Sequence, residues 1–527
     1  MIPVLTADEM RRADRRTIDE IGLPGPVLME NAGAAVARLV GERFGAARRV
    51  VVLCGRGNNG GDGFVVARRL GRRARAVLLG PREGASGEAL VHLRACERSG
   101  VPVREAADGA AWAAARDLVA DADLVVDAVL GTGLRSAPSG LAAAGIEWMR
   151  ARHSAGVAVV AVDLPSGVPS DGGAFDWPAV AADVTVAFAA LKRGHVLPPA
   201  AALAGEVVVA DIGIPGEAIE GSGPSLFLLE DKDAAPAFPR RPAGAHKGDF
   251  GHVLVVAGSI GKTGAAVLAA GGALRGGSGS SRWRRPAPCL PIVASARAEA
   301  MTVPLPATPA GGLAAEALAE LVSLAGERDA VVLGPGLGQE AETRILVRAF
   351  VGACPVPLLV DADALNALAP AQGDRAGLEA LRRPAPTVLT PHPGEMARLV
   401  GRPPRDVQAA RPETALALAR ETGAVVVLKG EGTVIADPVG HAAVCGAGNP
   451  GMATGGTGDV LAGLVGALLG RHGALLAATA GVLVHAKAGD LAARSKGEDG
   501  LTAGDLLEAL PEAVRAVRAA GGVPSAR

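Results

Sequence analysis

Short apolar runs recur along this chain, and each is followed by a glycine- or aspartate-bearing loop and then by a helical pattern. Val50-Val51-Val52-Leu53-Cys54, Ala76-Val77-Leu78-Leu79, Leu124-Val125-Val126-Asp127, residues 157–162 and Val184-Thr185-Val186-Ala187-Phe188 form a first series. They are continuous rather than alternating in polarity, so they predict strands buried on both faces of a parallel sheet. A second series begins at Val253-Leu254-Val255-Val256-Ala257 and continues through residues 330–333, 358–360, 387–390 and 425–428. Between the two lie a Pro/Gly-rich break at residues 214–225 and another such stretch at 234–248. The pattern predicts two α/β domains, residues 1–220 and 226–520; a chain of 527 residues is too long for one core. Aromatic residues make up only 2% and Tyr is absent, so Ala, Val and Leu must build both cores.

Charge and cysteine content narrow the function classes. Lys plus Arg number 53 and Asp plus Glu 54, a net charge of −1, which offers no nucleic-acid or membrane surface. The five cysteines are far apart and form no CxxC, so a reduced cytoplasmic compartment is expected, with neither a disulfide framework nor a zinc site. Thr6 and Glu9 have the spacing of a helix capping box, and the N-terminus lacks a signal peptide's apolar core. The most apolar long stretch, residues 460–469, is broken by Arg471 and His472, so no segment is expected to span a bilayer. A homo-oligomer is the expected assembly.

The densest chemical signal is Gly448-Asn449-Pro450-Gly451-Met452-Ala453-Thr454-Gly455-Gly456-Thr457-Gly458-Asp459, running into the apolar stretch from Val460. A helix starting there aims free N–H groups at the glycine loop, a ready anion site, and sets Asp459 beside it to move a proton. A flexible turn with a capping Asp is the plainer alternative. In the first domain, Gly55-Arg56-Gly57-Asn58-Asn59-Gly60-Gly61-Asp62-Gly63 follows the strand ending at Cys54. It contains GxGxxG, but the next strand ends Leu79-Gly80-Pro81-Arg82 without the acidic ribose ligand, which argues against an ordinary dinucleotide site. Its amides and carboxylate suit a hard cation instead. Asp127, before Leu130-Gly131-Thr132-Gly133-Leu134, and Asp163, in Asp163-Leu164-Pro165-Ser166-Gly167, close two further strands. Gly261-Lys262-Thr263 is no P-loop, because Val256 stands where that motif requires glycine. Gly334-Pro335-Gly336-Leu337-Gly338, Asp361-Ala362-Asp363, Thr390-Pro391-His392-Pro393-Gly394-Glu395 and Lys429-Gly430-Glu431-Gly432-Thr433 all follow expected strands.

The first set of motifs, over residues 5–215, resembles the NAD(P)HX epimerase domain of bifunctional NAD(P)H-hydrate repair enzymes, a Rossmann-like three-layer parallel-sheet fold. The resemblance implies potassium ligands Asn59, Asp127 and Ser166. It implies substrate contacts at Asn58, Asn59, Gly60, Gly61, Asp62, Gly131, Thr132, Gly133, Leu134, Arg135, Ser136, Ala137 and Asp163, with Asp163 as catalytic acid/base. Lys192 either faces this site or stays solvated beside Arg193. The second set, over residues 226–515, resembles the ribokinase-like fold and, within it, the ADP-dependent NAD(P)HX dehydratase. That implies substrate contacts at Ala265, Gly338, His392 and Asp459, with Asp459 as catalytic base. It places ADP or ATP on Lys429, Gly430, Glu431, Gly432, Thr433 and Gly458, with Mg2+ on the phosphates. The implied activity is repair of hydrated NADH and NADPH: epimerisation of the R and S forms, then nucleotide-driven dehydration of S-NAD(P)HX. A ribokinase-like small-molecule kinase fused to a nucleotide-binding or sensing domain is the alternative.

One segment departs from the family pattern. Where relatives have a strand of the type Leu-Val-Thr-Val, this chain has Ser281-Arg282-Trp283-Arg284-Arg285-Pro286. Back-translation with GC-rich codons and a one-base shift turns Ser-Ser-Arg-Trp-Arg-Arg-Pro into Leu-Val-Thr-Val-Ala-Ala-Pro. A short frameshifted patch at residues 280–288 is therefore the hypothesis, with a divergent exposed loop as the alternative. A genuine patch is expected to displace the strand.

Overall fold

The computed structural model describes residues 1–286, 289–370 and 374–522; the side chains of residues 280–286 lie outside that description. The chain divides into two compact units, Ile2–Ser225 and Leu226–Arg527, with Met1 counted in the latter.

The first unit contains β1 (Ile2–Leu5), β2 (Val50–Cys54), β3 (Ala74–Leu79), β4 (Val103–Ala106), β5 (Leu124–Ala128), β6 (Ala158–Val162), β7 (Val184–Phe188), β8 (Leu191–Lys192) and β9 (Glu206–Ala210). Seven of them form a sheet in the order β4-β3-β2-β5-β6-β7-β9, parallel throughout. Side chains alternate between faces along a strand. Accordingly Val50, Val52 and Cys54 of β2 enter one buried cluster while Val51 and Leu53 enter the other. Burial on both faces explains why these strands read as unbroken apolar runs. β4 and β9 were not expected: Val-Arg-Glu-Ala and Glu-Val-Val-Val-Ala are half-exposed edge strands. The expected capping box forms, with Glu9 N donating to Thr6 Oγ1 (3.1 Å) and Thr6 N to Glu9 Oε2 (2.7 Å). Strand order reverses at β2, and the crevice beyond the C-terminal ends of β2 and β5 is where a parallel sheet receives ligands.

The second unit contains β10 (Leu226–Leu228), β11 (His252–Val256), β12 (Ser280–Pro286), β13 (Met301–Leu305), β14 (Ala330–Leu333), β15 (Leu358–Val360), β16 (Thr387–Leu389), β17 (Val425–Leu428), β18 (Thr433–Ala436) and β19 (Ala442–Cys445). Their order is β13-β12-β11-β14-β15-β16-β17-β18-β19-β10. Pairing is parallel from β13 to β17, antiparallel through β18 and β19, and parallel again at β10. Every expected run is a strand, so both units are α/β. The aromatic-poor core closes by backbone approach. A Cβ on Gly463 in the helix Thr457–Leu469 would lie 1.7 Å from the Ala269 carbonyl oxygen of the helix Thr263–Arg275, so these helices pack through small residues.

Two expectations are corrected. The departing segment is not displaced: β12 pairs in parallel with β11 (Val253 opposite Ser281) and with β13 (Arg284 opposite Val303), because ladder hydrogen bonds use the main chain alone. The frameshift reading itself concerns side chains and residues 287–288, outside the described set. Second, one helix does reach spanning length: Ala474–Lys496 has 23 residues and a window of mean hydropathy 1.2. Of that window 67% is buried inside the protein, which marks a core helix packed on Thr457–Leu469.

Candidate active sites

In the first unit, the Asn-Asn-Gly-Gly-Asp motif is the opening of a helix, Asn58–Leu70, rather than a loop before one. Glycine is required where the helix meets the preceding turn: a Cβ on Gly60 would sit 1.8 Å from the Gly55 carbonyl oxygen. This closeness presents Asn58, Asn59 and Asp62 to a cavity of about 1100 Å³. Gly131, Thr132, Gly133, Leu134, Arg135, Ser136, Ala137 and Asp163 line the same cavity, as do Lys192 and Asp14. Gly60 and Gly61 stand buried behind that wall.

Asp163 is held in the left-handed region (φ 62°), a strained backbone for a non-glycine residue. Its Oδ1 accepts from Lys192 Nζ (2.5 Å) and Phe188 N (3.0 Å), and the Lys192 ammonium also donates to the Phe188 carbonyl (2.8 Å). Lys192 is 1% exposed, so its charge is desolvated and fixed. His195 Nδ1 accepts from Lys192 N (2.9 Å), which leaves Nε2 to donate to the Asp163 carbonyl (2.7 Å). Burial first and Lys192 second push the His195 pKa down to about 4, so the ring is a neutral brace. Burial and the neighbouring Asp163 push the Asp62 carboxyl far above its ordinary range, against the pull of Lys192. Burial raises Asp14 to about 6, again against Lys192. Three carboxyl groups thus share one buried ammonium. Neither Asp14 nor His195 was anticipated: Asp14 belongs to the N-terminal helix Ala7–Arg15, and only tertiary packing brings it here.

Asp127, near the C-terminal end of β5, is fully buried. Its Oδ1 accepts from Ser166 Oγ (2.5 Å) and Val129 N (3.3 Å), and its Oδ2 from Ser166 N (2.7 Å). Burial raises its pKa to about 6, partly offset by Ser166. The Asn59 Oδ1 lies 3.2 Å from the Cβ position of Gly131, and its Nδ2 is buried without a partner. An amide oxygen, a carboxylate and a hydroxyl are the oxygen donors that a hard cation takes; the orphaned Nδ2 is an N–H donor and is no ligand for one. Among the described residues no three His, Cys, Asp or Glu side chains converge into a metal group.

In the second unit, the helix Thr457–Leu469 starts inside the glycine motif, with Gly456 at its cap and Asp459 in its first turn. The buried His485 braces that turn through Nε2 to the Thr457 carbonyl (2.8 Å), and burial lowers its pKa to about 4. Asp459 is raised to about 7 by burial first and Asp361 second, with Lys429 opposing. Lys429 donates to Asp361 Oδ1 (2.7 Å), and its Nζ lies 3.4 Å from the Cβ position of Gly458. Burial works against the Lys429 charge, but Asp361, Glu395 and Asp459 outweigh it and raise its pKa. Lys429 therefore joins the carboxylates, while Gly430, Glu431 and Gly432 turn the chain into β18 at Thr433. Arg411, buried and unanticipated, pins that turn by donating to the carbonyls of Leu428 (3.0 Å), Lys429 and Gly432 (both 3.3 Å).

His392 caps the helix Pro393–Val400: its Nδ1 accepts from Gly394 N (3.0 Å) and Glu395 N (3.4 Å). Burial, then Lys429 and Arg398, lower its pKa, and Lys429 also bears on Asp459, so the two residues share one electrostatic cluster. Burial raises Glu395 to about 7. Gly338 N donates to Asp363 Oδ2 (2.9 Å), and Lys262 bridges to the same carboxylate (3.1 Å). Ala265 sits against Gly336, its Cβ 3.0 Å from that glycine's Cβ position. Asp361 was visible in the quoted Asp361-Ala362-Asp363 motif, yet its pairing with Lys429, 68 residues away, has no local signal.

A parallel-sheet α/β unit and a mixed-sheet α/β unit, each holding a buried lysine among carboxylates, define an α/β protein with two candidate acid–base sites. Residues 25–194 match the family model of the YjeF-related protein N-terminus, and residues 253–512 that of NAD(P)H-hydrate dehydratase. The bifunctional NAD(P)H-hydrate repair enzyme Nnr of Moorella thermoacetica is 42% identical over 97% of this chain and 96% of its own length, and the chain belongs to that family of bifunctional NAD(P)H-hydrate repair enzymes. The Nnr proteins of Thermofilum pendens and Escherichia coli are 40% and 35% identical, over 98% and 96% of this chain and 97% and 93% of their own. The solved ADP/ATP-dependent NAD(P)H-hydrate dehydratase of Bacillus subtilis, co-crystallized with ATP/Mg2+, is 29% identical and covers 55% of this chain and 98% of its own, with a TM-score of 0.47.

Proposed function

We propose that the first unit epimerises R- and S-NAD(P)HX and that the second dehydrates the S form at the expense of ADP or ATP, regenerating NADH or NADPH. The observation that carries this reading, beside family membership, is Asp459: a carboxyl poised near neutral pH at a helix N-terminus, beside a lysine.

In the second unit, Asp459 takes the proton from the hydroxyl on C6 of the damaged ring as that oxygen attacks the terminal phosphoryl group. The first-turn N–H groups of Thr457–Leu469 and the Lys429 ammonium stabilise the charge that develops. The phosphorylated oxygen then leaves with its electron pair as phosphate. C5 gives up a proton to the departing phosphate, and the C–H electron pair restores the C5–C6 double bond. Magnesium, arriving with the nucleotide phosphates, would supply charge neutralisation; the protein shows no dedicated cage for it among the described residues.

In the first unit, Asp163 and Lys192 exchange protons with the C6 hydroxyl, which leaves as water while the ring nitrogen donates its lone pair. Water returns to either face. The carboxylates of Asp163 and Asp14 are suited to stabilise the transient cationic ring, while Asp62, held protonated by burial, can donate a hydrogen bond in the same cavity. Potassium on Asn59, Asp127 and Ser166 would compensate the buried charge of Asp127 and fix the strand ends that carry Asp163 and Gly131.

The test is recovery of NADH absorbance from chemically hydrated NADH, with ADP or ATP. Asp459→Asn is expected to abolish recovery while leaving ADP binding nearly unchanged; retained turnover would refute the assigned base. A stable phosphorylated acceptor without NADH recovery would mark a kinase instead.

A further inference from the structure

The second unit has a cavity of about 580 Å³ that the Asp459 centre does not use. Gly470 and Arg471 in its wall follow the C-terminal end of the helix Thr457–Leu469, whose first turn carries Asp459. The two places are therefore separated by the helix length, about 20 Å at 1.5 Å per residue.

Five arginines reach this cavity: Arg240, Arg241, Arg275, Arg471 and Arg518. None forms an ion pair with the described residues. Its two carboxylates are engaged by their own loops: Asp249 accepts from His246 N (2.9 Å), and Asp329 from His252 N (2.7 Å). In a chain of net charge −1, this local surplus of positive charge is an exception.

Helix capping accounts for only part of it. Arg471 donates to Gly276 O (2.7 Å) and Ala467 O (3.3 Å), as a cation near helix C-termini should. Arg241 donates to Gly277 O (2.9 Å) and lies 3.8 Å over the Phe250 ring. Both guanidinium groups converge on one point, 3.1 and 3.6 Å from the Cβ position of Gly277. Each guanidinium has five donors in a fixed fork, so most donors remain available to a ligand. Arg275 and Arg240 have no hydrogen-bond partner among the described residues. Burial, then the charge of Arg241, depress the pKa of Arg471, as expected for like charges brought together. Phe238, Pro511 and Val514 add an apolar wall.

We infer that this cavity is a second anion site, built for two adjacent phosphoryl groups, whether free pyrophosphate or the diphosphate of a nucleotide. Planar guanidinium forks converging from several directions match phosphoryl oxygens bidentately. The apolar wall leaves room for an organic portion.

The test is equilibrium dialysis of labelled pyrophosphate and of labelled ADP against the full chain. Arg241→Glu and Arg275→Glu alter exposed side chains, and their thermal midpoints serve as folding controls. Wild type is expected to bind pyrophosphate, and each variant to bind it at least about tenfold more weakly, a change of about 1.4 kcal/mol. Thr433→Ala, in the turn assigned to the other centre, is expected to leave this binding unchanged. Tighter binding of ADP than of pyrophosphate, lost in the same variants, identifies a nucleotide; equal binding identifies the inorganic anion. No binding by wild type, unchanged affinity in both glutamate variants, or loss only in Thr433→Ala would overturn the inference. So would a change in sedimentation with anion affinity intact, which makes the cluster a contact between copies of the chain.

Discussion

At the scale of single residues, the two centres use the same device in different proportions: one lysine withdrawn from water among more than one carboxyl group. In each centre burial drives at least one carboxyl group toward neutral pH, with a neighbouring carboxylate adding to the rise and the lysine opposing it. For Asp459, raised to about 7, the base form is lost as pH falls. Dehydratase kcat/KM is therefore expected to drop about tenfold per pH unit below about 7, measured as initial rates of NADH recovery. A flat profile down to pH 5 would remove Asp459 from the base role. Lys192→Met is expected to lower epimerisation by at least about a hundredfold, followed by interconversion of the two hydrate epimers, while dehydration of pure S form continues. Asp127 gives a prediction on stability. Its folded pKa, about 6, lies above the ordinary 3.8, so its contribution is complete below pH 3.8 and disappears as pH rises through 6. The shift corresponds to about 3 kcal/mol at neutral pH for this fully buried group. Added potassium should restore much of it. Thermal melts at pH 7.5 in potassium and in a large organic cation check this; equal midpoints would empty the proposed cation site.

At the scale of elements, small residues decide the packing. The helices Thr263–Arg275 and Thr457–Leu469 approach until a methyl group on Gly463 would collide with a backbone carbonyl. Gly463→Ala is expected to cost about 1–3 kcal/mol by overpacking. It should also tilt the first turn that carries Asp459, lowering dehydration more than epimerisation; denaturant midpoints and the two assays together check it. Sequence patterning was sufficient for these elements where burial is two-sided. It failed at the edges, β4 and β9, where half-exposed residues carry no continuous apolar run. It also set the start of Asn58–Leu70 too late, because glycines that look like loop formers are there for close approach.

At the scale of the whole molecule, the two units have separate cores and separate candidate centres. Variants that silence one activity should leave the other, so Asp459→Asn is expected to keep epimerisation within about twofold of wild type, as for sites that share no residue. Loss of both activities in that variant would show that the centres are coupled.

The sequence by itself determined the strand–helix alternation, the division into two α/β units and the glycine–aspartate motifs, because periodicity and turn chemistry are local properties of the chain. Only the tertiary structure decided that Asp14 meets Asp163, that Lys429 pairs with Asp361 rather than reaching outward, and that Arg411 pins the turn before Thr433. Ionisation depends on burial and on charges distant along the chain, and neither exists until the chain has folded.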